Sequence, residues 1–109
     1  QNGVASCRFL DLFLTVDTEW SMDDHHPAGF RTDEEPTIYH AVTSPYEIPY
    51  RCLYSRDVPN LFFAGRDISV SHAALSSCRV MGTCAMLGQA VGTVAYIAVA
   101  RHCLPKDIS

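Results

Sequence analysis

The densest set of side chains capable of chemistry lies in the polar stretch Asp23-Asp24-His25-His26. Carboxylates and imidazoles are common metal ligands. Neighbouring side chains on an extended chain point to opposite faces, so one ion could be shared only by Asp23 with His25 or by Asp24 with His26. A metal site would need further ligands, while a solvated loop held by hydrogen bonds would need none. The other histidines in the earlier part of the chain are His40 and His72.

A second candidate group, Gly65-Arg66-Asp67, directly follows the short apolar run Leu61–Ala64. A continuous apolar run of this length is typical of a strand that is covered on both faces of a parallel sheet. In the nucleotide-binding α/β folds, ligands lie beyond the carboxyl ends of such strands. We therefore expect Gly65 to end a strand and Asp67 to lie near a ligand.

The element that follows is predicted to be a long helix over Val80–Ala100, which contains no charged residue. Water is a poor neighbour for most of such a surface, so the helix is predicted to be buried nearly all round. Glycine costs about 1 kcal/mol relative to alanine inside a helix, and close approach of a backbone or a flat ligand would compensate for it. Small residues recur at helical spacing on one side, and bulkier ones lie on another. The small set is Ala85, Gly88, Gly92 and Ala95, and the bulkier set is Leu87, Val91, Val94 and Ala98.

The same helix also satisfies the length of a membrane span, about 20 mostly apolar residues. Gly88–Gly92 fits the GxxxG pattern of paired membrane helices. Gln89 near the middle, the weakly hydrophobic Ala and Gly content and the preceding strand and turn instead favour a soluble nucleotide-binding fold. We therefore do not expect the helix to enter a membrane.

The earlier part of the chain is predicted to be mostly extended. Arg8–Val16 is rich in large apolar residues and is predicted to be a strand, and the turn-rich residues 21–36 are predicted to be a loop. Residues 37–53 have the aromatic and β-branched content of two extended segments, separated at Ser44-Pro45. Pro45 and Pro49 place these segments at an edge or a bend.

Composition limits the class of protein. The 109 residues suit one domain, and 48% hydrophobic against 18% charged residues is apolar for so short a chain, which suggests missing partners. A net charge of -4 with scattered Lys and Arg gives no basic face for nucleic acid. The five cysteines have no CxxC spacing, so free thiols are expected. The cellular compartment is left open.

Three segments resemble the FAD-dependent oxidoreductases of the glutathione-reductase-like superfamily, in the branch that also carries the name xanthan lyase. They are IPYRCL at Ile48–Leu53, NLFFAGRDIS at Asn60–Ser69 and SSCRVMGTCAMLGQAVGTVA at Ser76–Ala95. Their order and spacing are similar as well, and the resemblance covers roughly Trp20 to Ala100. Such proteins carry this block at the C-terminus, after an N-terminal GxGxxG unit that this sequence lacks.

The resemblance implies an α/β fold, namely a C-terminal fragment of a Rossmann-like FAD-binding domain. Residues 1–53 would be a returning β-rich segment of a substrate domain, and residues 54–109 would supply the last strand and the long buried helix. The missing N-terminal FAD-binding half, or a longer parent chain, would complete the protein.

The resemblance also implies roles for individual residues. His25 or His26 would face the substrate side of the flavin and transfer a proton, and Arg51 would face the active-site cavity. Asp67 would accept hydrogen bonds from FAD hydroxyls, although Arg66 intervenes where the superfamily has the acidic residue directly after the glycine. The start of the long helix would stabilise negative charge on the flavin. The implied cofactor contacts are Gly65, Arg66, Asp67, Arg79, Met81, Gly82 and Thr83.

The implied activity is FAD-dependent hydride transfer to or from a small organic substrate, by a chain that needs its missing part to be active. A histidine that titrates near neutral pH suits proton transfer alongside hydride transfer. The alternative is a non-enzymatic interaction module, possibly associated with a membrane, that pairs through its apolar C-terminal helix.

Overall fold

The computed structural model describes residues 14–16, 21–42 and 46–108, which form four short strands and two helices. Turns of 3-10 helix cover Gly29–Arg31, Tyr50–Leu53 and Pro105–Asp107. The strands are β1 (Leu14–Val16), β2 (Met22–His25), β3 (Thr37–His40) and β4 (Tyr46–Ile48), and the helices are α1 (His72–Cys78) and α2 (Met81–Arg101).

The strands form two antiparallel pairs. β1 pairs with β4 so that Leu14 lies opposite Ile48, and β2 pairs with β3 so that His25 lies opposite Thr37. The prediction of two extended segments within residues 37–53 is confirmed at β3 and β4 and is wrong at Tyr50–Leu53, which is a 3-10 turn. The predicted break at Ser44-Pro45 lies outside the described residues. Most of the predicted strand Arg8–Val16 also lies outside them.

The prediction that residues 21–36 form a loop is wrong at β2. Three of its four residues are polar, which hid the strand, and two side chains from the α1 region bond its free edge. His72 Nε2 donates to the His25 carbonyl oxygen at 2.8 Å, and Arg79 Nη2 donates to the Asp23 carbonyl oxygen at 3.1 Å. An edge strand presents unpaired carbonyls, and here these long-range side chains satisfy them.

The predicted strand at Leu61–Ala64 is also wrong. A single antiparallel bridge joins Phe62 to Tyr54, and no parallel strand pair occurs among the described residues. Gly65 nevertheless forms the expected turn, with a φ of 86° that side chains rarely adopt. Phe62, Phe63 and Ala64 are partly buried against the core, while Leu61 is exposed, so the apolar run gives partial burial without strand pairing.

The core contains residues from both predicted segments of the chain, 1–53 and 54–109. One side of α2 packs against the 3-10 turn at Tyr50–Leu53 and the C-terminal turn. This part of the helix prediction is confirmed, because three of the four bulkier residues of α2 are buried and Val91 is half-buried. The buried hydrophobic residues are Ile48, Tyr50, Leu53, Ile68, Cys78, Leu87, Ala90, Val94, Ala98 and Ile108.

The prediction that α2 is buried nearly all round is wrong for this chain. Gly88 and Gly92 are exposed, and a Cβ atom added at either would meet nothing within 4 Å. Only 22% of the most apolar window of α2 is buried, and Tyr96 and Val99 are each 75% exposed. By length and composition α2 could cross a membrane, a test that core helices of soluble proteins also pass. The described residues supply too few neighbours to cover its small-residue side.

Tyr50 links the core to the C-terminal turn. Its buried hydroxyl donates to the Pro105 carbonyl oxygen at 2.6 Å, and desolvation, followed by the nearby Tyr54, raises the pKa of Tyr50 to about 12. Because the folded pKa exceeds the ordinary value of 10, the unfolded chain loses this proton first. The stabilisation is therefore complete below pH 10 and is lost as the pH rises toward 12.

Tyr50→Phe is expected to lower the free energy of unfolding by about 1–3 kcal/mol at neutral pH, because the Pro105 carbonyl loses its buried donor. The gap between the two proteins should narrow between pH 10 and pH 12. Urea unfolding at a series of pH values measures it. A gap that stays constant across that range would contradict the buried, protonated phenol.

Candidate active site

The side chains of β2 and the α1 region enclose a small cavity of about 60 Å³. A space of this size can hold water or a small chemical group. Both a titratable imidazole and a charge-paired carboxylate reach it. Its lining residues are Asp23, His25, His72, Leu75, Ser76 and Arg79.

His25 has both ring nitrogens close to polar groups. Nδ1 lies 2.9 Å from the hydroxyl of Thr37, the residue directly opposite on β3. Nε2 lies 3.6 Å from Asp23 Oδ2, so the two alternate residues of β2 share a face, as the strand period requires. About half of the His25 side chain is exposed. The imidazole is thus fixed at one nitrogen and accessible from the cavity.

Arg79 and Asp23 form the charged pair of this cavity. Arg79 Nη2 lies 3.3 Å from Asp23 Oδ2 and also donates to the Asp23 backbone carbonyl, and both side chains are mostly buried. Arg79 lies two residues before α2, and its guanidinium contacts β2, so this pair links the start of α2 to the strand that carries His25. Sequence reasoning placed Arg79 near a diphosphate or a substrate carboxylate and did not identify this partner.

Asp24 faces the other way and approaches His72. Asp24 Oδ1 lies 3.1 Å from His72 Nε2, a distance suited to an ion pair when the imidazole is protonated. His72 Nε2 donates its hydrogen bond to the His25 carbonyl oxygen. Asp24 Oδ1 makes no hydrogen bond within the described part of the chain. His72 therefore holds β2 against α1.

His26 organises the turn between β2 and β3. Its Nδ1 accepts a hydrogen bond from the Ala28 amide at 3.1 Å, and its Nε2 lies 3.2 Å from Glu34 Oε2. Both nitrogens are therefore used within the turn. Of the two histidines that the sequence left undecided, His25 is the one that lines the cavity.

The first turn of α2 is open and uncapped. Val80 at the N-cap has no side-chain acceptor, and the first amide to bond within the helix is that of Cys84, which donates to the Val80 carbonyl oxygen. Met81 is 90% exposed, and a Cβ atom at Gly82 would meet nothing within 4 Å. Met81 and Gly82 thus begin the helix at an exposed position, and no side chain of the N-cap residue bonds the leading amides.

Thr83 adds an unusual group to this helix start. The residue is 1% exposed, yet its hydroxyl oxygen has no hydrogen-bond partner in the described ranges. A buried hydroxyl without a partner costs about 1–3 kcal/mol. An outside acceptor or donor would remove that cost.

The turn Gly65-Arg66-Asp67 is exposed at its two charged residues. A Cβ atom on Gly65 would lie 4.0 Å from Asp67 Oδ1, so the carboxylate folds back over the glycine. Both charged side chains are accessible to a ligand. None of these three residues is among those that line the cavity at His25.

Arg51 lies elsewhere. It lines an open cavity of about 500 Å³ together with Arg56, Asp57 and other residues of the 54–69 segment. Arg56 is paired with Asp57 at 3.0 Å. The structure thus brings His25 and Arg79 together at the smaller cavity, and Met81–Thr83 begin two residues after Arg79. Arg51 and Asp67 do not line that cavity.

Within residues 14–16, 21–42 and 46–108, no group of three or more His, Cys, Asp or Glu side chains could hold a metal ion. Cys52, Cys78, Cys84 and Cys103 are free thiols, as expected from their spacing. Desolvation by burial raises the pKa of Cys52 and of Cys78, which keeps both as thiols.

Sequence reasoning missed Thr37 and His72 as partners of β2. Thr37 carried no signal, because its role depends on the register between β2 and β3. His72 was considered only as a metal ligand. A prediction that β2 is a strand would have placed a residue of the next segment beside His25.

The described residues form two helices and two small antiparallel sheets, compatible with a fragment of an α/β fold, with an exposed helix start and an imidazole in a small polar cavity. Residues 16–109 match the family described as FAD dependent oxidoreductase, and the chain belongs to that family. No curated protein and no solved structure matches the chain.

Membership of this family establishes FAD as the cofactor and a redox role for the protein. The general resemblance inferred from the three sequence segments is thereby confirmed. The family match does not favour the alternative of a non-enzymatic interaction module.

Proposed function

We propose that this chain is the flavin-contacting C-terminal portion of an FAD-dependent oxidoreductase that transfers hydride to or from a small organic substrate. The observation that carries the proposal is the start of α2, where leading amides are uncapped and the buried Thr83 hydroxyl has no partner among the described residues. Family membership supplies the cofactor that such a site would serve.

The residues at the start of α2 suit the flavin chemically. Backbone amides and the positive end of the helix dipole stabilise negative charge, which a flavin ring carries when reduced. Gly82 leaves the approach free, and the exposed Met81 can move aside. When bound, FAD supplies the hydride chemistry, and this helix start holds the ring and favours its reduced form.

Other contacts to FAD would come from the Gly65 turn. Asp67 has an exposed carboxylate that can accept hydrogen bonds from cofactor hydroxyls, and Arg66 beside it can meet phosphate. Gly65 lets the backbone turn here without a side chain in the way. Arg51, in its open cavity, is proposed to meet the substrate.

His25 is proposed as the group that exchanges a proton with the substrate. Its imidazole lines the cavity that Arg79 also lines, two residues before α2 begins. An imidazole exchanges protons near neutral pH, which pairs with hydride transfer in the oxidation of alcohols and amines and in the reverse reactions. His26 is proposed to support the turn that follows β2.

The exposed side of α2 is proposed to pack against the missing FAD-binding half of a Rossmann-like domain. Gly88 and Gly92 are open in this chain, and apolar residues such as Tyr96 and Val99 are largely exposed. An apolar patch of this kind marks a contact surface. A membrane-pairing helix is the rival explanation, and solubility without detergent when expressed with the parent chain distinguishes the two.

Gly82→Leu is expected to weaken FAD binding by at least about tenfold in the flavin-loaded protein, since overfilling a close contact costs roughly 1–3 kcal/mol. A Cβ atom at this position meets no atom of the described residues within 4 Å, so folding should be preserved. Titration of the apoprotein with FAD, followed by flavin fluorescence, gives the dissociation constant.

The matched control is Ala100→Leu, on an exposed position near the other end of α2. It lies 18 residues further along the helix, roughly 27 Å away at 1.5 Å per residue. Its dissociation constant should equal that of the wild type. Equal FAD affinity for the Gly82 variant would remove the helix start from the cofactor site.

A further inference from the structure

The outer edge of β3 carries backbone groups that point away from β2. Residues of an antiparallel pair alternate between those that exchange hydrogen bonds with the neighbouring strand and those whose N–H and C=O groups point the other way. The His26 amide donates to the Pro36 carbonyl oxygen at 3.2 Å, in the same register that pairs His25 with Thr37. Thr37 and Tyr39 are therefore the residues of β3 whose backbone groups face outward.

The contacts of β2 agree with this assignment. By the same alternation, the carbonyl oxygens of Asp23 and His25 face away from β3, and these are the two that accept hydrogen bonds from Arg79 and His72. Both edges of β2 are thus occupied. No hydrogen bond reaches the outward backbone groups of β3 from any residue that the structure describes, so β3 is the open edge of this sheet.

We propose that this open edge pairs with an extended strand from the missing part of the longer flavoprotein, so that β2 and β3 belong to a larger sheet. The inference rests on the proposed function, in which this chain is a portion of such a protein. A sheet of two strands is marginally stable alone, and free edges are normally protected by lysine, proline or a bulge. Thr37–His40 contains neither lysine nor proline, and its register with β2 is continuous. An unprotected edge of this kind is a site for strand addition.

The charges beside β3 indicate what the added strand carries. The exposed acidic run Asp33-Glu34-Glu35 leads into β3, and a strand laid along β3 would pass it. A lysine or arginine at that end of the added strand is therefore favoured. A second copy of this chain fits less well, because antiparallel self-pairing centred on Ile38 would place Glu35 opposite the uncharged Ala41.

Amide hydrogen exchange tests the pairing, because an outward N–H is protected when a partner strand accepts its hydrogen bond. We expect the Thr37 and Tyr39 amides to exchange at least about tenfold more slowly in the longer protein than in the 109-residue chain. The Ile38 and His40 amides face β2 and are the internal control. In the longer protein, the outward amides should be protected as well as these inward ones.

Tyr39→Pro provides a second measurement, because proline removes the outward N–H and is tolerated within a strand at a free edge. Tyr39→Ala removes the side chain alone and is the matched control. In the 109-residue chain the two variants should melt within about 2 °C of each other, and in the longer protein the proline variant should melt at least about 4 °C below the alanine variant.

The charge of the added strand is tested by Glu35→Lys. This variant should speed exchange of the Thr37 and Tyr39 amides in the longer protein by about twofold to fivefold, as the loss of a surface ion pair would. Asp57→Lys, in the exposed turn after Tyr54, is the control and should leave both rates unchanged. Equal rates in the two variants would contradict a basic partner strand.

Outward amides that exchange equally fast in both proteins would overturn the inference. Protection that appears in the 109-residue chain and rises with its concentration would make a second copy the partner, which would also overturn it. FAD titration of the same preparations reports on the start of α2 separately. A protected edge in a longer protein that binds no FAD would leave this inference standing and contradict the proposed function.

Discussion

His25→Gln is expected to lower turnover of a working substrate by about 10²–10⁴ in the flavin-loaded protein, the contribution of a general acid or base. Glutamine keeps the approximate size and some hydrogen bonding, and it removes the titrating nitrogen. Because His25 lies in the cavity away from the Gly65 turn, flavin content should stay near that of the wild type. Stopped-flow reduction of the bound flavin measures the loss directly.

His26→Gln is the matched control, since it changes the adjacent residue in the same way. Its ring nitrogens serve the turn, through the Ala28 amide and Glu34, and a glutamine amide can replace part of those contacts. Turnover should stay within about threefold of the wild type, as for a surface change of under 1 kcal/mol. If His26→Gln lowered turnover more than His25→Gln, the assignment of proton transfer to His25 would be wrong.

A role for His25 and His26 as metal ligands predicts different results. If both variants regained activity with an added divalent metal, or if a chelator abolished wild-type activity, the imidazoles would be ligands. The chain as described offers no group of three suitable ligands, so we expect activity to be insensitive to chelators.

The long helix was the part of the fold most accessible to prediction. The uncharged stretch predicted Val80–Ala100, and α2 covers Met81–Arg101. Its bulkier side was also predicted, because helical spacing identifies which residues share a face. Its environment was not, since composition cannot tell whether neighbours come from the same chain or from another part of the protein.

Two predictions about strands, at Leu61–Ala64 and at β2, were wrong for a related reason. Leu61–Ala64 has the composition of a buried parallel strand, but a strand needs partners, and within the described residues the run makes one bridge through Phe62. In β2 the reverse occurred, because Asp23 and His25 belong to a strand held by the distant side chains of His72 and Arg79. Apolar composition thus predicted neither the pairing of a run nor how completely its residues are buried.

The candidate site was predictable in its residue types and not in its connections. The cluster Asp23-Asp24-His25-His26 stood out as reactive, and the alternation of faces offered Asp23 with His25 as one of two possible pairs, the one that the structure brings close. The partner of Asp23 is Arg79, 56 positions away along the chain. No local sequence pattern predicts the pair of Asp23 and Arg79. This pair is what distinguishes the observed cavity from a solvated loop.

Gly88→Leu is expected to have opposite effects in this chain and in the longer flavoprotein that we propose. In the 109-residue chain the new side chain meets open space, and replacing glycine in a helix with a good helix former gains about 1 kcal/mol. In the longer protein the same side chain would be forced into a close contact, which costs roughly 1–3 kcal/mol. Thermal melts of both proteins give the two signs.

Val99→Leu is the control, because Val99 is on the exposed part of α2 and lacks the close-packing signature of glycine. It should change the melting temperature little in either protein. If Gly88→Leu raised stability in both proteins, the small-residue side of α2 would be free of contact in the longer protein too. The remaining FAD-binding half would then have to pack elsewhere, and the exposed apolar side of α2 would need a different partner.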